Sequence, residues 1–190
     1  MTAARDREPE VARERFRPAT VSVLFVGESP PSGGTFFYFA NSKLYEATKE
    51  AFRLAVPDLV KGSNFLERFA GLGCYLDDLC LEPVNHLKLD NPLAKTKRLR
   101  LREQGEVALA GRIRDQAPEE VVVVMKDIQT NVRRAMMLAE RDGASVHALP
   151  FPGRKAHRDR YVDELVTLLG TFRVRGLLRR SGARDRVSGT

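Results

Sequence analysis

Four aromatic side chains, Phe36, Phe37, Tyr38 and Phe39, stand a few residues after a carboxylate and a hydroxyl, Glu28 and Ser29. A carboxylate beside a hydroxyl can hold and activate water. Flat aromatic faces can stack on a planar ligand such as a base. The apolar run Val21 to Val26 that precedes them ends abruptly at Gly27. A buried strand followed by a sharp turn is how an open α/β sheet brings functional groups to its carboxyl edge. Pro30 and Pro31 fix the turn backbone and remove two N–H donors. Gly33 and Gly34 allow close approach or positive φ. Each residue also has a simpler reading. Phe36, Phe37 and Phe39 taken singly suit a core, Glu28 can pair with a basic neighbour, and Asn41 with Ser42 can start a helix.

The elements that must position these groups alternate along the chain. Strands are expected near 21–26, 73–79, 121–125 and 145–149. Helices are expected from Ser42 to Pro57, over 64–70, from the basic block at 95–102 to about 116, over 128–141, and over 157–169. Ser42 has the character of a helix cap. Gly143 is read as the left-handed residue that closes the helix over 128–141. Residues 1–18 are polar and charged and read as an arm or a short helix. The alternation predicts an α/β domain with a four-stranded parallel sheet and helices on both faces, three αβα layers in all. The expected divisions are an arm over 1–19, the domain over 20–170 and a basic tail over 171–190.

The carboxyl ends of such strands would gather Glu28 and Ser29, then Asp77 and Asp78, then Lys126 and Asp127, then the loop Pro150 to Lys155. Asp77 and Asp78 could equally cap the next segment, and Asn85 could only order its loop. No GxxxxGK or GxGxxG loop and no HExxH spacing occurs. His86, His147 and His157 lie far apart in sequence, and the chain has only two cysteines, Cys74 and Cys80. A disulfide framework, a four-cysteine metal or iron–sulfur site and a metal cofactor are therefore not expected. No run approaches the roughly 20 apolar residues a membrane span needs. The N-terminal residues lack the apolar segment of a secretory signal, and a reducing cytoplasm is the expected location. The formal net charge of +7 is concentrated in blocks at 95–102, 154–160 and 173–186. It suits a polyanionic partner, although basic runs are often only solvated.

The order and spacing of these stretches resemble the uracil-DNA glycosylase superfamily. Gly27-Glu-Ser-Pro-Pro31 is similar to its first motif, a strand-end turn. The aromatic segment through Asn41 resembles the part that stacks on a flipped base. Gly73 to Asp78, followed by Glu82-Pro-Val-Asn85, is similar to the strand that reads the base and the stretch after it. The lead-in and strand over 116–125 resemble the third strand. Leu149 to Arg158 resembles the second motif and its DNA-wedging loop. The likeness runs over about residues 20–170 as an order of elements. Two departures stand out. Leu149 occupies the place of the motif His, and Asp78 occupies the place where uracil readers carry Asn.

The resemblance implies hydrolysis of an N-glycosidic bond in DNA, with DNA as partner; no cofactor is expected, and a monomer is the expected state although the sequence leaves the oligomeric state open. It implies Glu28 and Ser29 as catalytic residues for water and the sugar cation. It implies Phe36, Phe39, Asn41 and Asp78 as base-binding residues. Pro150, Pro152, Gly153, Arg154, Lys155 and His157 would contact DNA. An ionised Asp78 only accepts hydrogen bonds, so it would suit a base that presents an amino group and a ring N–H rather than uracil. Two other readings stay open: a non-catalytic nucleic-acid-binding relative, and a hydrolase or binding protein for free nucleotides.

Overall fold

A computed structural model describes residues 8–62 and 64–178. Its four strands are β1 (Val23–Gly27), β2 (Cys74–Asp78), β3 (Glu120–Val123) and β4 (Ser145–Ala148). The helices are α1 (Pro9–Arg15), α2 (Lys43–Ala55), α3 (Phe65–Gly71), α4 (Pro92–Gln116), α5 (Gln129–Leu138) and α6 (Lys155–Val174), with short 3₁₀ turns at Phe37–Phe39 and Lys126–Ile128. The sheet is entirely parallel in the order β2-β1-β3-β4. Helices cover both sides, α2 packing on α6 and α4 on α5, an arrangement compatible with three αβα layers.

Every residue of β1, β2 and β3 is buried. Sheets covered on both faces favour continuous apolar runs such as Val23 to Val26 and Val121 to Val123 over alternating ones. At the edge, β4 is more exposed. Ser42 and Asn64 cap α2 and α3 by accepting from the backbone N–H groups of Tyr45 and Glu67. The end of α5 differs from the sequence expectation. Glu140, at φ 56°, takes the left-handed position. The N–H of Arg141 reaches back to Met136 O at 3.0 Å, which closes the helix three residues before Gly143.

Two terminal segments are more closely built into the domain than the divisions 1–19 and 171–190 suggested. Helix α1 sends Arg13 into the interior, only 1% exposed. Helix α6 continues to Val174, and Leu177 and Leu178 are buried beyond it. The rest of the expected tail, 179–190, lies outside the described residues.

Helix α4 approaches the end of β2 very closely. A Cβ at Gly105 would sit 2.5 Å from the Leu79 carbonyl oxygen. Because that neighbour is backbone, helix or strand end must shift to admit a methyl group. Gly105→Ala is expected to cost about 1–3 kcal/mol by overpacking, read as a lower urea midpoint with unchanged slope.

Candidate functional site

The connections from β1 and β3 run to opposite sides of the sheet, so the crevice at the carboxyl ends of these two strands is its topological switch point. A cavity of about 310 Å³ opens there. Gly27, Glu28 and Ser29 line it from the end of β1, and Leu76 and Asp78 from β2. Val124 and Met125 follow β3, Phe36 and Phe37 come from the aromatic loop, and Phe151 from the loop after β4. The remaining polar lining includes Ser42, Lys43, Asn85 and Arg98. Mostly apolar walls with a few converging polar groups are the usual make-up of a small-molecule site.

Asp78 forms part of a buried charge network. Its Oδ2 accepts from Arg13 Nη2 at 2.6 Å. The neighbouring Asp77 accepts from Arg112 Nε at 2.7 Å, and Arg112 also donates to the Asp78 carbonyl at 2.6 Å. Arg13 Nε stands 3.9 Å from Asp77 Oδ1. Burial pushes the Asp78 carboxyl up to about 7, and Asp77 adds to the rise while Arg13 opposes it. Gly27 makes room for this carboxyl, because a Cβ there would lie 2.5 Å from Asp78 Oδ1.

Glu28 is held differently. Arg98 donates to it through Nε at 2.6 Å and also through Nη2. Arg102 donates through Nε at 2.7 Å. Burial alone would raise the Glu28 pKa, but the hydrogen bonds and charges of the two arginines outweigh it and bring it below the ordinary value. The simpler sequence reading, pairing with a basic neighbour, is therefore what Glu28 does. A carboxylate so stabilised is a weak proton acceptor, which favours the expected role at the sugar cation over activation of water. Ser29 Oγ accepts from the Val84 N–H at 3.1 Å and keeps its own proton for a further bond.

Other expected site residues divide between those at the cavity and those that support it. Phe36 lines the cavity; Phe39 packs edge-on against Phe36 at a centroid distance of 5.3 Å and does not line it. Asn41 is likewise a support. Its Oδ1 accepts from Phe36 N–H at 2.8 Å and its Nδ2 donates to Gly34 O at 3.3 Å. Those bonds fix the loop that carries the rings. In the loop after β4, Pro150 is half-buried and Pro152 buried, and Lys43 Nζ donates to Gly153 O at 2.9 Å. Arg154, Lys155 and His157 are exposed at the start of α6. Leu149 is buried. Lys126 points away to Glu164, at 3.4 Å.

Sequence reasoning missed Arg13, Arg98, Arg102 and Phe151. Phe151 stands 45% exposed while still lining the cavity, and its ring rests against Gly153. Its signal was a large apolar residue between two prolines. Cys80 is free, and burial and the nearby Glu28 carboxylate push its thiol up to about 11, which keeps it from acting as a nucleophile near neutrality. Among the described residues no group of three or more His, Cys, Asp or Glu is placed to hold a metal ion, and no helix is long and apolar enough to cross a membrane. No protein-family model matches the chain, and no match is found among curated proteins.

Proposed function

We propose that the chain is a DNA glycosylase-like protein of the uracil-DNA glycosylase type, which takes an extruded base into the cavity and hydrolyses its N-glycosidic bond. The observation that carries this reading is convergence. Glu28, Ser29, Phe36 and Asp78, four residues singled out by resemblance from three stretches, line one cavity at the switch point of a parallel sheet. Extruding a base costs a few kcal/mol of stacking and pairing, which such enzymes recover by holding the base between apolar walls. Phe36 and Phe37 supply such walls, and the exposed Phe151 with Arg154 and Lys155 faces solvent where DNA would lie.

In this reading the glycosidic bond breaks with its electron pair going to the base. Water held by Ser29 then adds to the cationic sugar carbon. Such a cation needs little help from a base, so the low basicity of Glu28 is compatible with the chemistry. Asp78 reads the base edge. Its protonated form, favoured in acid because burial raises the carboxyl to about 7, can donate to a carbonyl, and its ionised form accepts from an amino group or ring N–H.

One pair of observations favours a binding relative without catalysis: Glu28 is neutralised by two arginines, and Leu149, where the family places its His, is buried and apolar. Labelled duplex and single-stranded oligonucleotides carrying uracil, hypoxanthine, xanthine or a mismatched normal base separate the two. Alkali-labile sites are expected with at least one lesion. Asp78→Asn, which presents a fixed donor, is expected to move the preference toward uracil. Salt-sensitive binding with no abasic sites on any substrate would leave the binding reading in place of the enzyme.

A further inference from the structure

The cavity meets more positive than negative charge. Arg98 lines it and is only 8% exposed. One carboxylate, Glu28, serves both Arg98 and Arg102, the latter at 2.7 Å through Nε and Nη2. The cluster of three groups therefore keeps one unit of positive charge in a largely apolar setting, where charge is poorly screened. Lys43 also lines the cavity, and so does the first turn of α2 around Ser42 and Leu44. The N-terminus of this 13-residue helix adds its partial positive charge. On the negative side of the lining, besides Glu28, stands Asp78, which Arg13 offsets at 2.6 Å. The bonds Arg98 makes to Glu28 and to the Leu87 carbonyl at 3.1 Å leave it N–H donors for a ligand.

We propose that this cavity selects a planar heterocycle bearing a negative charge, such as a dioxo base with an acidic ring N–H, and that Arg98 is the residue that determines this preference. The inference rests on the cavity being a base pocket and deepens that reading by naming the class of base. Burying positive charge is costly; the exposed Asp127 acts on Arg98 from outside the lining, and an anionic base lying against Arg98 supplies a counterion within the cavity. Within the glycosylase reaction the departing base takes its proton from the water that adds to the sugar.

The test compares free 5-nitrouracil, an anion at neutral pH, with thymine, a neutral ring of similar shape, by isothermal titration calorimetry on the full chain. The wild type is expected to prefer the anion by about tenfold or more, equivalent to one charge-assisted contact. Arg98→Gln should abolish the preference, and Arg98→Lys should retain most of it. Glu28→Gln should strengthen anion binding, because it removes the shared counter-charge. That opposite sign separates electrostatic selection from structural damage, which would weaken binding in every variant, and the Glu28→Gln arm stands even where Arg98→Gln fails to fold. Equal binding of the two rings, binding of neither, or weaker anion binding in folded Glu28→Gln would overturn the proposal. Anion preference without abasic sites in the oligonucleotide assay would remove only the enzyme reading. Excision of a neutral lesion without anion preference would remove only this one.

Discussion

Arg13→Ala is expected to destabilise the protein by about 3–5 kcal/mol above neutral pH, the usual effect of stranding one partner of a buried ion pair. Arg13 is 1% exposed, donates to Asp78 at 2.6 Å and lies over the Phe36 ring, its guanidinium 5.5 Å from the centroid. Arg112 still serves Asp77 in the variant, so the loss falls on Asp78. The pH dependence follows from the raised Asp78 carboxyl. A carboxyl whose pKa rises on folding contributes its stability in full below the ordinary carboxylate range and loses it as pH climbs through about 7. Removing Arg13 removes a group that lowers this pKa, so the variant's deficit should be smallest in mild acid and grow as pH rises. Urea melts at acid and alkaline pH read this directly. The double variant Arg13→Ala/Asp78→Asn should recover part of the loss, and strictly additive losses would show that the two side chains are not energetically coupled.

The second large effect is expected at Gly27. Its new methyl group in Gly27→Ala would fall 2.5 Å from Asp78 Oδ1. Asp78 has little freedom to retreat, since Arg13 holds its other oxygen and Arg112 its carbonyl. Gly27 also pairs directly with Asp78 in the β1–β2 register, so backbone retreat would disturb the ladder. The carboxyl must therefore turn away from its place in the cavity. Ligand or oligonucleotide affinity should fall by about tenfold to a hundredfold, on the scale of one lost charge-assisted contact, with a modest stability cost of about 1–3 kcal/mol. Wild-type affinity in a folded Gly27→Ala protein would show that Asp78 does not touch the ligand.

Much of this architecture could be read from residue types. The runs Val23 to Val26 and Val121 to Val123 announce strands buried on both faces, and Ser42 and Asn64 announce helix starts. The gathering of Glu28, Ser29 and Asp78 at one edge follows from strand alternation alone. What could not be read was the partner of each charge. The block Lys95 to Arg102 looks uniformly basic, yet Lys95, Lys97 and Arg100 face solvent while Arg98 and Arg102 turn inward. Arg98, Arg102 and Glu106 repeat at the i, i+4 spacing of one helix face and lead into Leu109, Ala110 and Ile113, all buried. That inward face is polar for its first half, so a search for apolar periodicity passes over it. Arg13 was hidden for a related reason. It lies in a segment rich in charge, and its burial and its long-range bond to Asp78 are what distinguish it from a solvated arm. Asn41 and Phe39 misled in the other direction, because functional residue types in a loop also serve to fix that loop.

The charge pairs around the cavity also bear on the order in which the chain folds. Arg13 and Asp78 are 65 positions apart, and Glu28 and Arg98 are 70 apart. Contacts of such separation form only after long loops have closed, and they slow the search for the native state. Helix α1, made before β1 and β2, can dock its arginine on Asp78 only once β2 has been made. Until then Asp78 lacks its Arg13 partner and favours staying in water. The cavity thus depends on contacts between distant parts of the chain, and a chain in which β1, β2 and α4 have not yet met would lack it.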